Sequence, residues 1–247
     1  MKYRKLYDDY FSLHVSRGGK QGTPAAYDYV RRWWKQSYIR KWLPESRQAQ
    51  VLEIGCGLGY HLNALRELGY THVQGIDMSP EEIEIAQTNV EAVDFLVADA
   101  FSFLPERQGQ YDLVVMFNII EHFTKDEALQ ICQLVLSSLR KGGVLLIRTL
   151  NAANPAGFET LYSDLTHEMC YTQNSMVDLL GLAGFSRVEI IGLRIYNSED
   201  ELWKKAAKGL LLVPMSWISQ ILIKLMYFAQ PRPVGIVERD ILAIGTK

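Results

Sequence analysis

Val51-Leu52-Glu53-Ile54-Gly55-Cys56-Gly57-Leu58-Gly59 decides the architecture of this 247-residue chain. Val51 to Ile54 is a short, mostly apolar run that reads as a buried strand. Three glycines then alternate at Gly55, Gly57 and Gly59, and Leu62, Leu65 and Leu68 follow at helical spacing. The local reading is strand, tight turn, helix. Such a turn presents free backbone N–H groups at a helix N-terminus, and residues without a Cβ let a polar or anionic ligand come close to the main chain. A dinucleotide fingerprint needs Gly or Ala three places after Gly57, and Tyr60 stands there, where it would crowd a pyrophosphate. This disfavours a nicotinamide-dependent oxidoreductase.

The length suffices for one α/β domain with a substantial core and a small appendage. Hydrophobic residues make up 48% of the chain and the formal net charge is −2, a balance that excludes disorder as the general state. The charge is unevenly spread: +7 over residues 1–50, −12 over 51–199 and +3 over 200–247. Basic ends suit an anionic substrate or a membrane surface, and equally a solvated face. No Lys/Arg block is interleaved with aromatics densely enough to argue for nucleic acid. The three cysteines, Cys56, Cys132 and Cys170, have no metal-ligand spacing and cannot all pair. With no signal peptide at Met1-Lys2-Tyr3-Arg4, a cytoplasmic location is expected, with peripheral contact to an inner membrane as a variant.

Taken in order, Tyr3, Tyr7, Tyr10 and Phe11 are spaced as on one helical face, followed by a basic glycine loop, Arg17 to Gly22. Pro24 opens a helix expected to run through Tyr38 to Trp42, with Tyr27, Val30, Trp34, Ile39 and Trp42 on its apolar face. Val73 to Asp77 is a second strand that ends in an acid, where a carboxylate can accept two ribose hydroxyls. Ser79-Pro80-Glu81-Glu82 is a helix start. Asp94 to Val97 is a third strand, and Tyr111 to Phe117 an almost wholly apolar central one. Thr124-Lys125-Asp126-Glu127 forms a capping box, and the helix it opens is expected to end at Lys141-Gly142-Gly143. Val144 to Thr149, Arg187 to Ile195 and Glu238 to Thr246 complete the strands, the last alternating enough to be an antiparallel edge member. Strands alternating with helices call for a parallel sheet covered on both faces.

Several stretches carry candidate chemistry. Asp99 sits in the turn after the third strand, where it fits an adenine-amine acceptor or a cap on its own backbone. Asn118, Glu121 and His122 follow the fourth strand, and His122 fits either a catalytic wall or a packing role. Asn151 to Pro155 and Tyr162 to Glu168 are polar segments after the fifth strand, where open α/β sheets place substrates. Within them Asp164 and His167, spaced i, i+3, are candidates for an orienting acid and a base. No His/Asp cluster has convincing metal spacing, although Glu121-His122 leaves a divalent ion conceivable.

Glu53-x-Gly55-x-Gly57-x-Gly59 resembles motif I of the class I S-adenosylmethionine (SAM) dependent methyltransferases. Asn118 to Phe123 looks like motif IV of that family, Ala98 to Phe101 resembles its adenine-binding turn, and Met169 to Phe185 resembles its late helix–turn. The 151–155 and 162–168 segments are similar to elements of methyltransferases from bacterial polysaccharide and glycoconjugate gene clusters. The resemblance covers Ala49 to Phe185 and the final strand. It implies a Rossmann-like, seven-stranded, mostly parallel sheet with an antiparallel last strand and helices on both faces. It implies SAM as cofactor, held by Glu53, Gly55, Cys56, Gly57, Gly59, Asp77, Met78, Asp99, Ala100 and Asn118, with His122 and His167 as catalytic candidates and no metal. The acceptor class it suggests is a small molecule or a sugar of a bacterial surface glycan, methylated on oxygen in preference to nitrogen. A quinone- or lipid-type methyltransferase and a non-catalytic SAM-binding module are the alternatives. The expected division is 1–46 as an N-terminal helical or lid segment, 47–195 with 238–247 as the SAM-binding domain, and 196–237 as a helical apolar insert. The insert is too broken by Pro214 and polar residues to span a bilayer. It reads as a cover or subunit contact, or as a membrane-surface contact through 204–229. A monomer or homodimer is expected.

Overall fold

The computed structural model describes residues 22–154, 161–193, 221, 236 and 238–247. The aromatic face at Tyr3 to Phe11 and almost all of the 196–237 insert lie outside these residues. The elements are helix α1 (Pro24–Gln36), strand β1 (Gln50–Ile54), α2 (Tyr60–Glu67), β2 (His72–Asp77), α3 (Pro80–Asn89), β3 (Asp94–Val97), α4 (Ala100–Phe103), β4 (Tyr111–Phe117), α5 (Lys125–Ser138), β5 (Leu139–Leu150), α6 (Gln173–Ala183), β6 (Arg187–Leu193) and β7 (Asp240–Thr246). The seven strands form one sheet in the order β3-β2-β1-β4-β5-β7-β6. The pairs from β3 to β5 are parallel, and β7 runs antiparallel to both β5 and β6.

Period-two alternation sends side chains to two cores. Along β4, Leu113, Val115 and Phe117 join the core under α1, α2 and α3, whereas Val114 and Met116 join the core under α4, α5 and α6. The run is apolar without interruption because both faces are covered. Helix starts follow local chemistry. Ser79 Oγ accepts from Glu82 N–H at 3.3 Å, and reciprocal capping boxes open α5 (Thr124/Glu127) and α6 (Thr172/Ser175).

Three expectations about elements are corrected. Asp240 to Thr246 is not an edge strand: it lies between β5 and β6, with Ile241, Leu242 and Ala243 fully buried, and β6 takes the edge. An ion pair fixes β7 to its neighbour, with Arg148 Nε and Nη2 donating to Asp240 Oδ2 at 3.0 and 2.6 Å. Next, α5 ends at Ser138 rather than at the Lys141-Gly142-Gly143 triplet. That triplet falls at the irregular start of β5, where Gly142 has φ 78°. Finally, the N-terminal helix breaks at Ser37, whose hydroxyl accepts from Ile39 N–H at 3.2 Å and begins a short 3-10 turn over Tyr38–Trp42. A serine offering the backbone a local partner competes with helix continuation.

Residues 24–42 are built into the core, with Trp34 and Ile39 both fully buried. Trp34 Nε1 donates to His61 Nδ1 at 3.0 Å, and the His61 ring lies among Trp33, Trp34 and Phe117. Burial, then the nearby Arg148 charge, lowers the His61 pKa to about 3, so this histidine is a neutral joint between α1 and α2. Among the described residues, no helix is long and apolar enough to cross a membrane.

Gly59 holds the turn into α2 at φ 74°, and a Cβ there would stand 2.6 Å from Phe95 Cζ. Left-handed backbone and steric overlap add. Gly59→Ala is expected to cost roughly 2–4 kcal/mol, read as a lower urea midpoint at unchanged m value. Gly109, at φ 59° with no atom within 4 Å of where a Cβ would lie, provides the control. Its alanine variant should cost about 1 kcal/mol, the backbone part alone.

Candidate functional site

The carboxyl ends of β1, β2, β3 and β4 converge on one cleft. The β1–α2 turn is held to the tip of β2. Gly55 and Cys56 N–H both donate to the Ile76 carbonyl, at 2.9 and 3.1 Å, and Gly59 N–H donates to the Cys56 carbonyl at 2.9 Å. Gly57 N–H donates to Asp77 Oδ2 at 2.9 Å. The turn amides expected to face a ligand are therefore spent on the turn itself, and side chains must supply much of the recognition. The Cys56 side chain is buried in the core on the α2 side, where its sulfur would meet a Cβ placed at Gly75. Burial, then Asp77 and Glu53, raise its pKa well above the ordinary thiol value.

Three carboxyl groups surround this turn. Glu53 is 1% exposed, and among the described residues its Oε2 has no hydrogen-bond partner. Burial, then the Asp77 charge, holds its pKa well above the carboxylate range, opposed by the Leu62 N–H. Asp77 accepts from Ser79 N–H at Oδ1, also at 2.9 Å. Burial raises the Asp77 pKa against the backbone N–H groups of Ser79, Gly57 and Met78. Glu82, whose carboxylate oxygens stand 3.8 Å from where a Gly57 Cβ would lie, is raised to about 8 by burial, then by Asp77 and Glu81. A buried polar atom without a partner is costly. An unpartnered buried carboxyl oxygen amid repelling acids fits a ligand that carries hydroxyls and positive charge, which are features of an adenosyl sulfonium. On this observation Glu53, Asp77 and Asp99 are the side chains that could hold SAM.

The cleft encloses about 500 Å³ including its open mouth, and Asp77, Met78, Asp99, Ala100, Ile119 and His122 are among its lining residues. Asp99 Oδ1 caps α4 by accepting from Phe101 N–H at 3.0 Å, and the residue also lines the cleft. Asn118 sits at the β4 tip with φ 55°, exposed, its N–H donating to the Arg148 carbonyl at 2.9 Å. A left-handed Asn at a strand tip is a local strain of the kind concentrated at functional sites.

At the far end of the cleft the fold joins two segments distant in sequence. The Glu121 carbonyl accepts Glu168 and Met169 N–H at 2.8 and 3.2 Å, anchoring the 161–171 loop beside the β4 tip. His122 and His167 rings then lie 4.8 Å apart, centre to centre, at 61°. Asp164, expected to orient His167, has its Oδ1 engaged by Thr166, which donates through N–H at 2.9 Å and Oγ1 at 2.7 Å. Thr166 Oγ1 in turn lies 2.9 Å from His122 Nδ1. Thr166 falls inside the polar 162–168 stretch, but nothing local in the sequence gives it a role, and Thr149 carries no signal in its strand. The hydroxyl of Thr149 donates to Glu121 Oε2 at 2.8 Å. Glu121, His122 and His167 each bring one ligand-type atom within 4.8 Å of the others, a grouping the sequence spacing did not reveal. Within this grouping Thr149 is hydrogen-bonded to Glu121 and Thr166 to His122.

This fold, with its glycine turn and strand-tip acids, is that of the class I SAM-dependent methyltransferases. Residues 51–143 match the family described as a methyltransferase domain. A ubiquinone biosynthesis O-methyltransferase of Xanthomonas campestris pv. campestris is 34% identical over 115 residues, which cover 44% of this chain and 46% of that protein. One of the same description from Shewanella pealeana is 29% identical over 117 residues, covering 45% and 48%. The chain thus spans about half the length of the curated relatives it matches. A SAM-dependent methyltransferase of Archaeoglobus fulgidus is similar in fold, with TM-score 0.63 at 19% identity over 99% of this chain and 100% of that one. A Haemonchus contortus phosphoethanolamine-type N-methyltransferase, in complex with S-adenosylhomocysteine, has TM-score 0.61 at 16% identity over 94% and 59%.

Glu121 is 1% exposed, and burial, its largest influence, raises its pKa from 4.5 to about 7. The folded chain holds this proton where the unfolded chain releases it, so the contribution of Glu121 to stability falls as pH rises from about 4.5 to about 7 and is constant above. Glu121→Gln keeps an acceptor for Thr149 and removes the penalty. It should gain roughly 1–3 kcal/mol over wild type at pH 8 in urea unfolding, the difference vanishing below pH 4.5.

Proposed function

We propose that this chain is a SAM-dependent methyltransferase that methylates a hydroxyl oxygen of a small molecule. The observation that carries the reading is one continuous cleft whose lining includes Asp77, Met78 and Asp99 together with His122, so that a nucleoside cradle and a proton acceptor share one wall. When bound, SAM supplies an electrophilic methyl group, and the protein supplies orientation and proton removal. Asp77 would accept the ribose hydroxyls, Met78 and Ala100 would flank the adenine, and Asp99 would accept from its amine. Glu53 would accept from the ammonium of the amino-acid end through Oε2, which has no partner among the described residues. Asn118, at the β4 tip, would stand at the methionine end of the cofactor, where the acceptor would meet it. His122 and His167 are the candidates that take the proton of the acceptor hydroxyl.

The acceptor is a small molecule with an ionisable hydroxyl. A phenolic, quinone-type acceptor is favoured by the names of the curated relatives. Residues 204–229 suit it in composition, with Lys204, Lys205, Lys208 and Lys224 among apolar residues as expected for contact with a membrane holding such an acceptor. A sugar hydroxyl is the second arm, supported by the 151–155 and 162–168 segments.

Titration calorimetry on the full chain tests the cofactor reading. S-adenosylhomocysteine should bind, and Asp77→Ala should weaken it by about 100-fold or more, the value of two hydrogen bonds to a charged group. Absence of heat with both SAM and S-adenosylhomocysteine on folded protein would overturn the assignment. Transfer of labelled methyl to a catechol-type phenol and not to free sugars would select the quinone-type arm, and the reverse would select the sugar.

A further inference from the structure

His122 is held by a directed pair of hydrogen bonds. Thr166 Oγ1 stands 2.9 Å from its Nδ1, and the Thr166 carbonyl oxygen stands 3.3 Å from the same nitrogen. On the other side, Thr166 Oγ1 lies 2.7 Å from Asp164 Oδ1. A hydroxyl has one proton and a carboxylate can only accept, so that proton goes to Asp164. Thr166 Oγ1 then faces His122 as an acceptor, as its carbonyl oxygen does. Two acceptors against one ring nitrogen require that nitrogen to bear hydrogen. Nδ1 is protonated in the neutral ring, and the lone pair is on Nε2. Free imidazole side chains in water favour the opposite tautomer, so the arrangement is one the protein imposes. Thr166 is buried at 8% exposure, which strengthens a hydrogen bond that solvent would otherwise compete for.

We propose that Thr166 and Asp164 are positioning residues that hold His122 in its Nδ1–H tautomer, so that Nε2 takes the proton of the acceptor hydroxyl. The proposal rests on the reading of the chain as a hydroxyl methyltransferase. The O–H bond breaks with its electron pair left on oxygen, and the proton bonds to Nε2. Oxygen forms its new bond to the methyl carbon as the sulfur–carbon pair returns to sulfur. The imidazolium keeps its Nδ1–H on Thr166 and later releases the Nε2 proton to water. Asp164, one hydroxyl away, favours the charged ring without taking its proton. Among the described residues, the titratable groups near His122 include Asp164 and His167 from the 161–171 loop, Glu121 beside it in the chain, and Asp99, which lines the same cleft. His167 N–H donates to the Asp164 carbonyl at 3.3 Å, and its ring lies 4.8 Å from that of His122.

The Asp164–Thr166 contact also closes a local turn, so the test needs a readout that a turn alone would not move. In full chain labelled with 15N-histidine and free of cofactor, His122 is assigned by its loss in His122→Asn. Its neutral ring should show a protonated Nδ1 and an unprotonated Nε2. Thr166→Ser should keep that pattern and keep kcat/KM within about threefold. Thr166→Val should move the proton to Nε2, lower kcat about 100-fold with little change in KM, and displace the pH profile of kcat/KM. A wild-type ring protonated on Nε2, or a Thr166→Val variant with unchanged tautomer and turnover, would overturn the proposal. Should Thr166→Val not fold, the wild-type spectrum decides alone. Loss of turnover on chelation, restored by a divalent cation, would also overturn it. If S-adenosylhomocysteine fails to bind, the functional reading falls, while the tautomer is still decided by the spectrum.

Discussion

The site depends on the clasp between the β1–α2 turn and the tip of β2. Two N–H groups of the turn share the Ile76 carbonyl, and a third goes to the Asp77 carboxylate. The same carboxylate binds Ser79 N–H and so fixes the start of α3. One acid therefore sets the relative position of two strands and two helices. Its conformation is determined before any ligand arrives, which is what preorganisation of a binding site requires.

That clasp has an electrostatic cost. Asp77, Glu53 and Glu82 are brought together in a poorly solvated place, and each has its acidity weakened, by burial first and, for Glu53 and Glu82, by repulsion as well. Natural cores avoid such groupings unless a partner offsets them. The unpartnered Glu53 Oε2 is the sharpest sign that something is meant to be added. At the opposite end of the cleft the polar groups are satisfied: Glu121 by Thr149, and His122 by Thr166. The two ends thus differ in how far their buried polar groups are paired among the described residues.

What the sequence made legible was local. The glycine turn, the acid at the end of β2, the Ser79 cap and the Thr124 capping box are each written within a few residues, and each forms where expected. The parallel sheet followed from alternating periodicities. The place of β7 did not, because an alternating pattern does not say which neighbours a strand pairs with, and the Arg148–Asp240 bond that fixes it joins residues 92 positions apart. The partner of His122 was hidden for the same reason: Thr166 is 44 residues away, and a lone threonine in a polar loop carries no local signal. Asp164 was found as an acid, but its nearest use is the Thr166 turn. Cys56 and the turn amides had the right location, while the direction of the side chain and the destination of the N–H groups depend on packing against β2.

The inner place of β7 bears on how the chain reaches its native state. Among the described residues, strand β6 has β7 as its only neighbour in the sheet, and β7 comes after it with the whole apolar 196–237 stretch between. The first five strands can zip together as they emerge, but β6 must wait without a template until the later strand slots in beside β5. Its hydrogen-bonding groups are exposed during that interval, when a foreign strand would fit the vacant flank of β5 equally well. The flank of β5 is therefore where pairing with another strand would compete with the native arrangement.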